Sequence, residues 1–377
     1  MRFLFACGGT AGHVNPAVGV AGRIRELLPD SEILFIGALG KMEMELVPRE
    51  GYEIRGVPVS NLSRSLSVEG IRHNIKFVSD LIKSGPACRK IIEEFKPDVV
   101  IGTGGYVCYP VLHEAAKLGI PTVVHESNAE PGLTTRQLEK CVDKIMVGFA
   151  EARENYKHPE KVVVTGTPVR GDFFTKTKEQ AKEALGVNDG RPLVVSFWGS
   201  LGAGNMNRVT AELLYLEAAK EPFHHIHSVG SLGWQKMHEW VSGYGVDLRD
   251  HPSLDVREYI YDMADVMRAA DLVICRAGAS TLAELSCIGK PAILIPSPNV
   301  TNNHQERNAR VLEHAGGAKV LLEGAFTADD LYNLVSDLLA DPAQLAQMAQ
   351  NMKSAGVADA AERIADLVLK LADRHGK

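Results

Sequence analysis

CGGTAGHVNP at residues 7–16 and WGSLGAGNMN at residues 198–207 decide how this chain is read. Each follows a short apolar strand, Arg2 to Ala6 and Pro192 to Phe197, and each opens a helical pattern, about half a chain apart. Glycine lets the backbone approach a ligand closely, and the first N–H groups of a helix are unpaired at the positive end of its dipole. Each junction is therefore a place to hold phosphate, and two of them point to two phosphorylated ligands. In the first, Gly8, Gly9 and Gly12 build the loop, and Asn15 followed by Pro16 reads as an N-cap with proline at the first helical position. Ala17, Val20, Ala21, Ile24 and Leu28 then recur at helical spacing.

A dinucleotide-binding fold needs G-x-G-x-x-G and an acidic residue at the end of the second strand. This chain has G-G-x-x-G in one half and G-x-x-G-x-G in the other, and its second strand, Glu32 to Gly37, ends in Ile36-Gly37-Ala38 without a carboxylate. The loops share the mechanism but not the spacing, which argues against a nicotinamide or flavin cofactor.

The 377 residues are too many for one ordinary core and predict two domains. No run approaches the ~18 apolar residues of a membrane span, and MRFLFACGG is too short an apolar start for a secretory signal. Six cysteines are scattered without a C-x-x-C pair, against a disulfide framework or zinc site and in favour of the cytosol. A net charge of −6 gives no general affinity for nucleic acid.

Apolar strands alternate with helical patterns almost throughout, which predicts α/β architecture with parallel sheets. The first half offers Arg2 to Ala6, Glu32 to Gly37, Asp98 to Gly102, Thr122 to His125, Lys144 to Val147 and Lys161 to Thr165. The second offers Pro192 to Phe197, His224 to Ser228, Val256 to Tyr259, Leu272 to Cys275, Ala292 to Pro296 and Lys319 to Leu322. GTPVRGDFF, residues 166–174, interrupts both periodicities and reads as the linker. After Asp341-Pro342 the pattern is helical to the end.

Residues 64–90 carry six basic and two acidic side chains, with Leu66, Ile71, Ile75, Val78 and Ile82 near one helical face. A basic amphipathic helix suits an anionic membrane surface. The same pattern also suits a helix packed on a core with its basic face in water.

His13 ends the first loop, where neutral imidazole can accept a proton from a sugar hydroxyl. The strand ending at His125 empties into HESNAEPG, placing Glu126 and Asn128 at the carboxyl edge of the sheet, where open α/β sheets bind ligands. Glu126 is an alternative base or an orienter of His13. GTGGYVCYP at 102–110 supplies Gly104, Gly105 and Tyr106 at the same edge. In the second half, CRAGASTLAE runs into a helix beginning near Ser280 or Thr281, and Thr281 and Glu284 have the spacing of a capping box. The other reading of Glu284 is a carboxylate accepting both hydroxyls of a ribose. His304, Gln305 and Asn308 follow a further strand end and suit sugar hydroxyls. His225 and His227 share a strand face without an evident third ligand, so a metal is not assigned. No Asp-x-Asp triplet offers a metal seat for a nucleotide diphosphate, leaving its charge to N–H groups, Arg170 and helix ends.

The ordered set GGTAGHVNP, TGGYVCYP, HESN, GTPVR, GSLGAGNMN, EYIYDM, CRAGASTLAE and HQERNA resembles the MurG family, the peptidoglycan N-acetylglucosaminyltransferases that convert lipid I to lipid II. The resemblance runs from the first strand to the last helix. It implies a GT-B fold, two Rossmann-like domains with the active site in the cleft: residues 1–168 with a returning helix at about 357–377 for acceptor and membrane, and 169–356 for the donor. The donor would be UDP-N-acetylglucosamine and the acceptor undecaprenyl-diphospho-N-acetylmuramoyl-pentapeptide, with no metal or other cofactor.

By motif, Ser200, Gly202 and Ala203 would hold the donor diphosphate near Arg170 and Asn207, with Ser280 and Thr281 at a second helix start. Ile260 would line the uracil pocket, Glu284 take the ribose, His304 and Gln305 contact the sugar, and Thr10, Gly12 and Asn128 complete the donor's surroundings. Gly8, Gly9, His13, Gly104, Gly105 and Tyr106 would meet the acceptor diphosphate, and His13 and Glu126 are the catalytic candidates, with Thr10 and Asn128 also on the acceptor side. Residues 64–90 would then be the membrane patch, implying a peripheral protein on the cytoplasmic face of the membrane among cell-wall synthesis proteins. The chain departs from the usual family pattern at Ala11, Ser127, Trp198 and His304. Ala11 demands an ordinary φ where glycine is usual, and Trp198 would narrow the cleft.

Overall fold

The structure, a computed structural model, describes residues 1–60 and 83–375, and the greater part of the basic segment 64–90 lies outside them. The chain divides into two compact units, Met1–Arg170 with Val357–Lys377, and Gly171–Gly356.

Unit 1 is built on a wholly parallel sheet ordered β3-β2-β1-β4-β5-β6-β7, from β1 (Arg2–Ala6), β2 (Glu32–Ala38), β3 (Glu53–Val57), β4 (Val99–Gly102), β5 (Thr122–Glu126), β6 (Lys144–Val147) and β7 (Val162–Val164). Phe3, Leu4 and Phe5 of β1 are fully buried because helices cover both faces, so β1 and its neighbour β4 read as largely apolar runs. The helices are α1 (Ala11–Leu27), α2 (Glu43–Arg49), α3 (residues 83–95), α4 (Cys108–Lys117) and α5 (Leu133–Leu138).

Unit 2 repeats the plan with a six-stranded parallel sheet ordered β10-β9-β8-β11-β12-β13. Its strands are β8 (Leu193–Phe197), β9 (His224–Ser228), β10 (Leu254–Arg257), β11 (Leu272–Cys275), β12 (Ala292–Leu294) and β13 (Ala318–Val320). Helices α6 (Lys178–Ala184), α7 (Gly204–Ala218), α8 (Trp234–Gly243), α9 (Met263–Ala269), α10 (Ala279–Ile288), α11 (His304–His314), α12 (Ala328–Ala340) and α13 (Pro342–Ser354) surround them. The last helix, α14 (Ala360–His375), belongs to unit 1: Ile364, Ala365, Val368 and Ala372 join the core under α1, and Arg23 meets Glu362 at 2.8 Å.

Two expectations change here. β3 is an additional edge strand, its Glu53 and Arg55 facing outward and hiding the alternation. Helix α1 begins at Ala11 with Thr10 as N-cap, so Asn15 is not a cap and Pro16 lies inside the helix. Proline lacks the N–H that would meet the Gly12 carbonyl, yet the helix starts early because the Thr10 carbonyl accepts from both His13 and Val14 and Thr103 Oγ1 donates to the His13 carbonyl at 2.7 Å.

Candidate functional site

In unit 1 the ends of β1 and β4 bring two glycine loops into contact. The Gly8 amide donates to the Gly104 carbonyl at 3.2 Å. Gly104 and Gly105 have φ of +122° and +90°, and a Cβ on either would strike His13 or the Gly8 backbone. Only glycine permits both the conformation and the approach. Burial pushes the Cys108 thiol up to about 12, so it keeps its proton and donates to the Ala6 carbonyl at 3.1 Å, bracing the loops from below.

His13 is the third residue of α1. Its Nδ1 lies 2.8 Å from the Gly8 carbonyl, which can only accept, so Nδ1 carries the proton and Nε2 the lone pair. Thr10 Oγ1 is 3.3 Å from the same Nδ1. Gly8, Gly9, Thr10, His13, Gly105 and Tyr106 line one cavity of about 270 Å³ with Lys41, Glu43 and Ser60.

Glu43 was not singled out from the sequence. Fully buried at the start of α2, it accepts from the Ala38 amide through Oε1 and the Gly9 amide through Oε2, both at 3.0 Å. The Gly8 and Gly9 amides, where the motif had placed the acceptor diphosphate, are thus both engaged within the protein. Gly104 also turns its amide inward, to Cys108 Sγ at 3.2 Å. Gly105 and Tyr106, at the start of α4, remain on the cavity wall.

Glu126 is buried and does not line this cavity. Its Oε1 accepts from the Asn128 amide and Nδ2 at 3.1 and 2.9 Å, and its Oε2 from the Gly132 amide and Thr135 Oγ1, each at 2.9 Å. Four donors converge on one carboxylate, and the orientation of His13 comes from Gly8 instead. In the same motif burial lowers the His125 pKa, and its ring pairs with the Gly166 carbonyl at 2.9 Å.

In unit 2 a cavity of about 570 Å³ lies where β8 and β11 run into α7 and α10. Gly202, Ala203, Gly204 and Asn205 line it from one helix start, Gly278 and Thr281 from the other. Two helix N-termini on one cavity favour an anion twice over. Gly202 donates its own amide to the Gly199 carbonyl at 3.0 Å, so it shapes the turn rather than offering that N–H. Ser200 is exposed, and its carbonyl accepts from the Ser231 amide at 3.2 Å.

Several predicted residues are redistributed. Asn207 is 1 % exposed and donates to the Val229 carbonyl at 2.9 Å, pinning α7 to the end of β9. The N-cap of α10 is Gly278, so Thr281 and Glu284 sit inside the helix and form no capping box. His304 opens α11 after two left-handed residues, Asn302 and Asn303. Gln305 lines the cavity and accepts from the Ser297 amide at 2.9 Å. Asn308 is fully buried against the Ala277 carbonyl. Ile260 is 2 % exposed and stands apart from the cavity lining, and Arg170 is exposed at the end of unit 1.

Ala11 keeps an ordinary negative φ as the first helical residue. Trp198 folds into the cavity wall at 4 % exposure, its indole donating to Thr210 Oγ1 at 3.2 Å. Over it lies Arg276, 5.8 Å from the ring, paired to Glu323 at 2.6 Å and donating to the Ile295 carbonyl. Its sequence signal was its place directly after β11, at the strand's carboxyl end.

The glycosyltransferase family 28 N-terminal domain matches residues 3–147 and the family 28 C-terminal domain residues 193–364. The chain belongs to glycosyltransferase family 28. Among family 28 relatives, a protein of Acetivibrio thermocellus is 44% identical over 98% of this chain and 97% of its own. One from Listeria welshimeri is 39% identical over 98% and 99%. Both are named UDP-N-acetylglucosamine–N-acetylmuramyl-(pentapeptide) pyrophosphoryl-undecaprenol N-acetylglucosamine transferase. Acinetobacter baumannii MurG superposes with a TM-score of 0.76 at 26% identity, covering 98% of this chain and 99% of that one. A Neisseria meningitidis UDP-GlcNAc 2-epimerase, at 15% identity and a TM-score of 0.66 over 98% and 100% of the two chains, shares the fold alone. The family 28 architecture here is GT-B, built from two parallel-sheet units.

Proposed function

We propose that this chain moves N-acetylglucosamine from UDP-N-acetylglucosamine to the C4 hydroxyl of the N-acetylmuramyl residue in undecaprenyl-diphospho-N-acetylmuramoyl-pentapeptide, inverting the anomeric centre. The observation that carries the chemistry is His13, whose proton is held on Nδ1 by the Gly8 carbonyl. Nε2 takes the C4 hydroxyl proton as that oxygen attacks the anomeric carbon, and UDP leaves from the opposite face.

The donor diphosphate is met by the starts of α7 and α10, with Ser200 and Ala203, and Glu284 receives the ribose hydroxyls. Charge developing on the leaving diphosphate is stabilised by these preorganised dipoles, so no metal is required. Glu126 organises its own loop and Glu43 the Gly9 loop, which supports His13 rather than Glu126 as the base.

Among the described residues no helix is long and apolar enough to cross a membrane. The proposed location is peripheral, on the cytoplasmic face, with residues 64–90 against anionic lipid and cell-wall synthesis proteins as neighbours.

The deciding experiment supplies UDP-N-acetylglucosamine and a short-chain acceptor analogue, with and without EDTA. A β-1,4-linked disaccharide formed equally in both supports the reading. Sugar epimerised without acceptor, or no transfer to it, rejects the function, and loss of transfer with EDTA rejects the metal-free mechanism.

A further inference from the structure

Two cavities of unit 1 share a wall. The one holding His13 meets a second of about 230 Å³ at Val59, Ser60 and Tyr106. Tyr109 and Pro110 of α4 and Leu133 of α5 enclose the second. Their chemistry differs: Lys41, Glu43 and His13 line the first, whereas no charged or histidine side chain lines the second among the described residues. Leu133 and Tyr106 remain 57% and 42% exposed, apolar surface that an apolar occupant would take from water. At the shared wall the Ser60 hydroxyl is buried without a hydrogen-bond partner among the described residues, a group that gains when a ligand acceptor reaches it.

The order of these parts is the order of the acceptor. His13 belongs at the sugar's C4 hydroxyl. The phosphate on the sugar's far side then belongs at the start of α4 and Ser60, and the hydrocarbon beyond it. We propose that the second cavity seats the phosphate-proximal isoprene of the acceptor's prenyl chain, with the Ser60 hydroxyl donating to the adjoining phosphate, an inference that rests on the acceptor reading above. A lining without charge among the described residues offers a peptide's carboxylate no partner there, whereas a branched hydrocarbon asks for none.

Calorimetry on the full chain with farnesyl diphosphate and with inorganic pyrophosphate tests this without turnover. Wild type should bind farnesyl diphosphate at least about tenfold tighter, a preference worth about 1.4 kcal/mol. Leu133→Asp should erase that preference and leave pyrophosphate binding unchanged, while Ser60→Ala weakens both ligands. Leu133 is the exposed first residue of α5, a position where aspartate is favourable, and Leu133→Ser serves as a second variant. Equal binding of the two ligands by wild type, or equal weakening of both by Leu133→Asp, overturns the pocket assignment. A chain that shows the preference yet transfers no sugar overturns the function and keeps the pocket. Transfer without the preference does the reverse.

Discussion

The His13 imidazole and the Gly8 carbonyl, 2.8 Å apart, settle which ring nitrogen is basic before any substrate arrives. A base prepared in this way should dominate the chemical step. His13→Ala is expected to lower kcat by about 10²–10⁴ with the KM for UDP-N-acetylglucosamine nearly unchanged, as steady-state kinetics would show. Turnover within a few-fold of wild type would remove His13 from that role.

Glu126 makes the opposite prediction. With both oxygens committed to four donors, it shapes the 126–135 loop, and Glu126→Gln should retain the pH profile of kcat. Glu126→Ala should lower kcat through disorder of the loop without moving that profile. A large loss in Glu126→Gln together with a lost acidic limb would make the carboxylate the base after all.

Glu43 joins the Gly9 and Ala38 amides through separate oxygens. Glu43→Gln offers one acceptor and sets a donor against the other amide, a mismatch expected to cost about 1–3 kcal/mol. The measurement is the denaturant midpoint, followed by kcat/KM, which should fall because the loop that leads into the helix carrying His13 loses its brace. An unchanged midpoint would show that the amides find other partners.

The buried run Glu217, His225, Ser196 and His227, linked at 2.7 Å throughout, predicts acid sensitivity. Burial, reinforced by His225, pushes the His227 pKa down to about 3, against ~6.5 when unfolded. Between those values the unfolded chain holds a proton that the folded chain refuses, so acid favours unfolding. This group's contribution should fall by about 1.4 kcal/mol per pH unit below pH ~6.5, level off near pH ~3, and be absent above pH ~6.5. Urea unfolding across that range should show a shallower slope in His227→Gln, and an unaltered slope would refute the assignment.

Glu284 is expected to reveal itself through the donor alone. Removing a charge-assisted bond to the ribose should raise the KM for UDP-N-acetylglucosamine by about tenfold or more, with kcat at saturation nearly preserved. An unchanged KM would take Glu284 out of the nucleotide site.

Strand and loop order were readable wherever burial is complete. β1 and β4 are covered on both faces and so appear as apolar runs that lead into glycine loops. β3 was not readable, because an edge strand mixes charged and apolar residues. The start of α1 misled because Asn15-Pro16 is a strong local signal, yet contacts from Thr103 and the Thr10 carbonyl decide where the helix begins. Thr281 and Glu284 had the spacing of a cap, but the chain entered α10 three residues earlier, at Gly278.

From the sequence alone came two glycine loops, read as phosphate seats, on two α/β halves, with His13 beside the first. Those signals are local, lying in residue type, spacing and periodicity. What only the tertiary structure decided was which polar groups are already taken: Glu43 on the Gly9 amide and Asn207 on the Val229 carbonyl. Hydrogen bonds between segments tens of residues apart leave no spacing in the chain, and they determine which groups remain for a ligand.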